Sequence, residues 1–151
     1  MQIYTSYFYQ IRNFKPYMIP VSTALSDPIW YRPPHGEFFI DKRGVINGLR
    51  YEPLIVQGHC QHQCPCYEKN VNKCVWLQEY RKLLSALDIN IITKAFEHCQ
   101  GFVAKKLGLQ QEPVIVLMVY ETPQNPCSER VALQDFFTLR GYPCKELTYP
   151  I

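Results

Sequence analysis

Hydrophobic stretches along the chain predict strands near both of its ends. The segments predicted to be extended are 2–8, 17–23, 51–56, 113–120 and 144–149. The clearest is 113–120, because six consecutive apolar residues indicate a strand that is buried on both faces. Pro20 restricts the second segment to an edge strand or a bulge, and 51–56 is either a short strand or simply extended chain.

Three helices are predicted where apolar residues recur every three or four positions. They cover 74–87, a segment from Asp88 or Asn90 to Leu107, and a segment from Asn125 to about Arg140. Gly108 is typical of a helix end. Asn125-Pro126 predicts the start of the third helix, because Asn caps helices and Pro fits the first helical position. Residues 24–50 are rich in Pro and Gly and predict a loop.

The order of these elements predicts a single α/β domain over residues 1–151, with a mostly parallel central sheet flanked by helices. The strand at 113–120, the helix after it and the last strand form a βαβ unit. Such a unit joins two parallel strands through a right-handed crossover. A length of 151 residues suits one domain, and the sequence contains no repeat or linker.

Composition and charge narrow the class of protein. An apolar fraction of 47% with 19% charged residues excludes a disordered chain. No apolar run approaches the ~18 residues of a membrane span, and the first residues lack the layout of a signal peptide. We therefore expect a cytoplasmic protein without a membrane partner. The net charge is only +3, and the sequence lacks the dense basic stripe of a dedicated nucleic-acid binder. The charge therefore does not favour nucleic acid as a partner, but it does not exclude nucleic acid either.

Four of the seven cysteines lie close together in the polar loop at 58–74. These predicted metal ligands are Cys60, Cys64, Cys66 and Cys74. Zinc prefers a tetrahedral set of such thiolates, and with four protein ligands the site would be structural. Three alternatives remain open. His62 could replace Cys64 or Cys66, an iron–sulfur cluster also takes four thiolates, and the cysteines could be reduced and unliganded.

Polar side chains follow the predicted strands at 2–8, 17–23 and 113–120. The carboxyl ends of parallel strands meet at one edge of a sheet, where ligand sites form. The predicted ligand-binding residues are Thr5, Ser6, Tyr7, Ser22, Trp30, Asn125, Ser128 and Arg130. The N-terminus of the predicted third helix and the charge of Arg130 would favour a carboxylate, a phosphate or sugar hydroxyls. Trp30 is either an aromatic lid or a packing residue.

Glu121 and Cys127 are the candidate catalytic residues. Glu121 directly follows a buried strand, where burial can raise the pKa of a carboxyl group and suit it to acid–base catalysis. The alternative is a loop carboxylate paired with Arg130. Cys127 falls in the first turn of the predicted third helix, where a thiolate is stabilised. With no histidine nearby in sequence, a packed cysteine is its alternative. Gly-rich phosphate-binding motifs are absent from the sequence.

Three segments resemble the family catalogued as domain of unknown function 488. They are residues 3–8, residues 20–22 followed by Trp30-Tyr31, and residues 116–121 followed by 127–133. The resemblance implies an α/β fold of unassigned activity, and the cysteine-rich middle is similar to a subgroup of that family. The family commonly has Cys-His-Arg where this chain has Cys127-Ser128-Glu129-Arg130.

Together these features favour a protein with a structural zinc site and a strand-end pocket for a nucleotide-like or other small polar ligand. An enzyme acting on nucleosides, nucleotides or nucleic-acid bases fits this description, with Glu121 as acid or base. The alternative is a non-catalytic, zinc-stabilised module that binds nucleic acid or protein. It predicts basic residues beside the cysteine loop: Lys69, Lys73, Arg81 and Lys82. A metal or redox sensor with exposed thiols is a third hypothesis, and no oligomeric state is predicted.

Overall fold

A computed structural model of the chain describes residues 1–31, 38–58 and 74–148. The strands are β1 (Ile3–Tyr7), β2 (Met18–Ser22), β3 (Phe39–Ile40), β4 (Ile46–Asn47), β5 (Leu49–Arg50), β6 (Val114–Val119) and β7 (Cys144–Glu146). The α-helices are α1 (Val75–Ser85), α2 (Ile89–Leu107) and α3 (Arg130–Leu139). Short 3₁₀ helices span Phe8–Asn13 and Glu52–Leu54. No helix in the described residues is long and apolar enough to cross a membrane.

Five parallel strands form the central sheet in the order β5-β2-β6-β1-β7. Tyr7 at the end of β1 lies opposite Val119, and Ser22 at the end of β2 lies opposite Met118. The central position of β6 explains its unbroken apolar sequence, because both of its faces are covered. The predicted α/β architecture with a mostly parallel sheet is confirmed. A separate antiparallel pair, β3 with β4, lies within the segment predicted to be a loop.

The two faces of the sheet are covered differently. On one face, here called the helix face, all three helices bury side chains in the core that contains Leu117: Leu84, Phe96 and Phe137. On the opposite face, here called the loop face, Phe8 and Tyr31 form a core with Met118. The loop face is therefore closed by a 3₁₀ helix and irregular chain.

The predicted ends of α2 are confirmed by its caps. Asp88 precedes the helix, and its carboxylate accepts a hydrogen bond from the backbone N–H of Asn90 at 2.8 Å. This satisfies one of the N–H groups that the first turn leaves unpaired. Gly108 ends the helix with a φ of +63°, in the left-handed region that glycine adopts without a Cβ penalty.

The predicted start of the third helix is wrong, because α3 begins at Arg130 rather than Asn125. The side chain of Asn125 accepts a hydrogen bond from the N–H of Cys127 at 2.9 Å, and the Ser128 hydroxyl accepts from the N–H of Arg130 at 3.2 Å. Both bonds reach two residues along the chain. Such bonds offer the backbone an alternative to helical pairing, so they hold this segment as a series of turns.

The predicted extended segment at 51–56 contains a 3₁₀ helix, Glu52–Leu54, in place of a strand. Pro53 lies in its first turn, where the missing N–H and fixed φ of proline are tolerated. The fifth strand of the sheet is instead Leu49–Arg50, which pairs with the end of β2. At the C-terminus, the predicted strand at 144–149 is shorter and ends at Glu146.

Candidate functional site

The carboxyl ends of the strands all meet at one edge of the sheet, because every strand in it is parallel. The predicted polar groups are divided between its two faces. The Thr5 hydroxyl is on the helix face, where it accepts a hydrogen bond from Gln134 of α3 and donates one to Glu146, each at 2.8 Å. Ser22 hydrogen-bonds to Asp27, whose carboxylate forms an ion pair with Arg50 at 2.7 Å.

A cavity of about 270 Å³ opens at this edge, beyond the ends of β2 and β6. Of the predicted site residues, Glu121 and Cys127 line it. The other described residues that line this strand-end cavity are Ala24, Leu25, Ser26, Val56, Gly58, Trp76, Tyr120 and Glu129. Its volume lies just below the roughly 300–1,000 Å³ typical of small-molecule sites, so it suits a ligand of modest size.

Glu129 is the cavity residue that the sequence interpretation missed. Its side chain is almost fully buried, with 3% exposure, although it immediately precedes α3. Burial, followed by the nearby charge of Glu121, raises the pKa of Glu129 from the usual 4.5 to about 8. Glu129 is therefore mostly protonated at neutral pH. Only its position beside the candidate Glu121–Cys127 segment could have drawn attention to it.

Glu121 lies where the sequence placed it, just beyond the end of β6. Its Oε1 is buried and has no hydrogen-bond partner within the described part of the chain. A buried carboxylate oxygen without a donor is costly, and a ligand that donates a hydrogen bond would satisfy it. Because Glu121 and Glu129 line the same cavity, such a ligand would meet both carboxyl groups.

Arg130 supports the walls of the cavity instead of lining it. Its Nη2 donates to the backbone carbonyl of Glu121 at 2.6 Å, and its Nη1 donates to that of Thr122 at 3.1 Å. Its Nε donates to the Glu146 carboxylate at 2.6 Å. These three bonds fix the chain between β6 and α3. They therefore hold Glu121 in position through its own backbone.

Cys127 precedes α3 by three residues, so its predicted place in the first turn of a helix is wrong. Its side chain is buried and lines the cavity. The argument that a helix dipole stabilises its thiolate therefore loses its basis. The remaining support for a catalytic role of Cys127 is that it lines the same cavity as Glu121 and Glu129.

The remaining predicted ligand-binding residues lie outside the lining of the cavity. The Tyr7 hydroxyl accepts a hydrogen bond from Gln10 at 2.6 Å, and the Ser6 hydroxyl is buried without a hydrogen-bond partner in the described residues. Trp30 is half-exposed and packs edge-on against Phe8 on the loop face. Asn125 and Ser128 instead shape the turns before α3.

Three of the predicted metal ligands, Cys60, Cys64 and Cys66, lie outside the described residues. Cys74 is buried and directly precedes α1. Within the described ranges no group of three or more His, Cys, Asp or Glu side chains could hold a metal ion. Gly58 and Trp76 flank the cysteine segment, and both line the cavity. The described residues on either side of that segment therefore lie beside the cavity.

Of the basic residues predicted to accompany the cysteine loop, Lys69 and Lys73 also lie outside the described residues. Arg81 forms an ion pair with Asp135 of α3 at 2.9 Å. Lys82 is exposed on α1. The basic face that the binding-module hypothesis requires therefore stays a prediction.

Comparison with known proteins found no match to any family model, to any curated protein or to any solved structure. The resemblance to the family of unknown function therefore stays an expectation.

Proposed function

We propose that the strand-end cavity binds a small, nucleoside-like ligand and that the protein is an enzyme using Glu121 and Glu129 as an acid–base pair. The observation that carries this proposal is the presence of two carboxyl groups in one cavity, one of them with an unpaired buried oxygen. Paired carboxyl groups in unlike environments are typical of acid–base catalysis.

The two carboxyl groups suit opposite roles. Glu129, with its pKa raised to about 8 by burial and by the nearby Glu121, carries a proton at neutral pH and can donate it. Glu121, whose negative charge contributes to that shift, can accept one. Proton transfer between a ligand and two positioned groups of this kind contributes roughly 10²–10⁴-fold to a rate. Cys127 lies beside them as a candidate nucleophile.

The charges around the cavity favour an uncharged ligand. None of its described lining residues is a lysine or arginine, and the nearby Arg130 is held by Glu146 and two carbonyls. Within the described part of the chain, no cation would compensate a phosphate that faces Glu121. Hydroxyl and amino groups, in contrast, can donate to Glu121. The rings of Trp76 and Tyr120 offer surfaces on which a flat base can stack.

Ligand binding tests the proposed substrate class. Isothermal titration calorimetry with nucleosides and with the matching 5′-monophosphates should give tighter binding for the nucleosides. We expect Glu121→Gln to weaken binding, because the amide replaces an acceptor oxygen with a donor. The matched control is Glu97→Gln, an exposed glutamate on α2, which should bind as the wild type does. Preferential binding of the monophosphates would contradict the proposal.

Turnover tests the proposed chemistry. Proton NMR of each bound nucleoside over time should reveal a product with the wild type and with Glu97→Gln. Glu121→Gln and Glu129→Gln should each lower the rate by about 10²–10⁴-fold. If Glu121→Gln binds and turns over its ligand like the wild type, the carboxyl pair is not the catalytic device. The non-catalytic binding module then becomes the better interpretation.

We further propose that Cys60, Cys64, Cys66 and Cys74 hold a structural zinc ion next to this cavity. Cys74 directly precedes α1, two residues before Trp76 of the cavity lining, so a metal ion bound by the cysteine segment would lie beside the cavity. Native mass spectrometry should give one zinc per chain in the wild type and loss of that mass in Cys74→Ser. The control is Cys144→Ser, whose cysteine lies on β7 and should keep the zinc. A wild-type mass without excess metal would exclude the zinc site.

A further inference from the structure

A second concavity lies on the loop face of the sheet, outside the strand-end cavity. It has a volume of about 370 Å³, and its lining includes Tyr9, Arg12, Trp30, Asp41 and Arg43. We call it the aromatic–basic groove. It forms where the 3₁₀ helix after β1 meets the chain around β3 and β4. None of the chemistry proposed for Glu121 and Glu129 uses it.

Two aromatic side chains in this groove are exposed to solvent. Trp30 is 52% exposed and Tyr9 is 62% exposed, although large aromatic rings usually bury most of their surface. The ring of Trp30 packs edge-on against Phe8, with 6.5 Å between the ring centres. It is thus held in place while part of it stays open to solvent. The Arg12 guanidinium lies over the Tyr9 ring at 4.1 Å and stacks on it.

The charges beside these rings are mainly positive. Arg12 and Lys42 are exposed, and Arg43 donates hydrogen bonds to Asp41 and to the backbone carbonyl of Arg12. Asp41 is the carboxylate among the described residues that line the groove, and Arg43 neutralises it at 2.7 Å. Among the described residues, no carboxylate forms an ion pair with Arg12 of the groove or with Lys42, which lies between Asp41 and Arg43 in the chain. A polyanion is the complementary partner.

We propose that the aromatic–basic groove binds single-stranded nucleic acid. Exposed aromatic rings beside cationic side chains are the arrangement that single strands require, since bases stack on the rings and phosphates pair with the cations. A base would stack on the half-exposed ring of Trp30, and the phosphates would contact Arg12, which lies over the Tyr9 ring, and the exposed Lys42. A duplex keeps its bases stacked inside, so it can use only the cations.

The groove is connected to the strand-end cavity by a row of rings. Phe8 contacts Trp30 on one side and lies 5.1 Å from the ring of Tyr120 on the other. Tyr120 lines the strand-end cavity. A strand held in the groove could therefore pass a terminal or unpaired base over Tyr120 to Glu121. This extension rests on the proposed function, whereas binding in the groove does not.

Fluorescence anisotropy tests the groove directly. The probes are fluorescein-labelled oligo(dT) and oligo(U) of about 15 nucleotides, a length that covers a typical single-strand site, and a DNA duplex of equal length. We expect either single strand to bind more tightly than the duplex. Trp30→Ala should weaken single-strand binding about tenfold, because it removes a stacking surface. Trp30→Phe should retain most of it.

Salt dependence separates the role of Arg12 from that of the rings. Arg12→Ala should lower the slope of log affinity against log salt by about 1, because one phosphate contact is lost. The matched control is Lys94→Ala, an exposed cation on α2 at the helix face, which should leave both affinity and slope unchanged. Thermal unfolding of each variant checks that it is folded.

Several results would overturn the groove as a single-strand site. One such result is a wild type that binds neither single strand at low salt. Another is a Trp30→Ala variant with wild-type affinity, and a third is a Lys94→Ala variant that loses as much affinity as Arg12→Ala. A Trp30-dependent dimer in size-exclusion chromatography would show that the groove binds a second copy instead. Glu121→Gln separates the two proposals, because it should keep oligonucleotide binding in the groove even where the proposed chemistry fails.

Discussion

The hydroxyl of Thr23 lies 3.4 Å from Oε1 of Glu129 and 3.1 Å from the carbonyl oxygen of Met118. A hydroxyl has a single proton, and a carbonyl can only accept. The Thr23 proton is therefore divided between two acceptors, and the bond it donates to Glu129 is the longer of the two. That bond lowers the pKa of Glu129 too little to offset the burial that raises it.

This relationship predicts how stability changes with pH. The pKa of Glu129 is about 8 in the folded protein, against a usual value of 4.5, so the folded state binds the extra proton between these pH values. By linkage, the contribution of Glu129 to stability is fully present below about pH 4.5 and is lost as the pH rises through about 8. Urea unfolding at a series of pH values should reveal this decline.

Glu129→Gln is the matching variant, because its amide cannot titrate. We expect the variant to lose the part of the pH dependence that lies between about 4.5 and 8, while Glu97→Gln retains it. Equal slopes in the wild type and in Glu129→Gln would mean that Glu129 is not protonated in the folded protein. In that case the assignment of acid and base in the cavity would need to be revised.

Removing Arg130 from its ion pair with Glu146 should destabilise the protein strongly. The Arg130 side chain is 6% exposed, and it also donates to the carbonyls of Glu121 and Thr122. Breaking a buried pair by removing one partner costs about 3–5 kcal/mol, because the other charge is left uncompensated. We expect Arg130→Met to lower the free energy of unfolding by about this amount in urea titrations.

The pair of Arg81 with Asp135 is the control for that experiment, because both side chains are about half exposed. Exposed pairs contribute about 0–1 kcal/mol, so Arg81→Met should have little effect. If the two variants were equally destabilised, the burial of Arg130 would not be the source of its contribution. The double variant Arg130→Met/Glu146→Leu should recover part of the loss, since no uncompensated charge is left.

Local sequence signals predicted the parts of this fold that local physics determines. The apolar run of β6 and the caps of α2 at Asp88 and Gly108 are examples. The segment before α3 could not be predicted in this way, because Asn125 is equally suited to capping a helix and to closing a turn. The buried Arg130 also pairs with Glu146, sixteen residues further along the chain. The local sequence pattern does not reveal this contact.

The candidate site was predicted only in part, because some of its contacts join residues that are far apart in the sequence. Glu121 could be selected because it follows a buried strand, and the parallel sheet brings the strand ends to one edge. Glu129 could not, since it is buried beside Thr23, which is 106 residues away in the chain. Thr5 and Ser22 lie opposite Leu117 and Met118, two consecutive residues of β6, so their side chains are on opposite faces of the sheet. Their hydroxyls therefore form separate networks instead of lining one cavity.

The central strand offers a test of the core. Leu117 is fully buried on β6 and lies opposite Thr5 on one side and Val21 on the other. Leu117→Ala should lower the free energy of unfolding by about 2–5 kcal/mol, through lost burial and the cavity left behind. Leu139→Ala is the control, because Leu139 is 82% exposed at the end of α3 and should change stability by about 0.5 kcal/mol or less.

Cysteine alkylation tests the packing of β7 and α2. Burial raises the pKa of Cys99 to about 11, and burial together with the nearby Glu146 raises the pKa of Cys144 to about 12. The thiolate is the reactive form. At pH 8 about one Cys99 in a thousand is therefore reactive, against about one in ten in the unfolded chain, where the usual pKa of 9.0 applies. Iodoacetamide labelling followed by peptide mass mapping should therefore find both thiols about a hundredfold or more slower in the native protein than in concentrated urea. Rapid native labelling of Cys144 would show that β7, at the edge of the sheet, detaches from β1 often enough to expose its thiol.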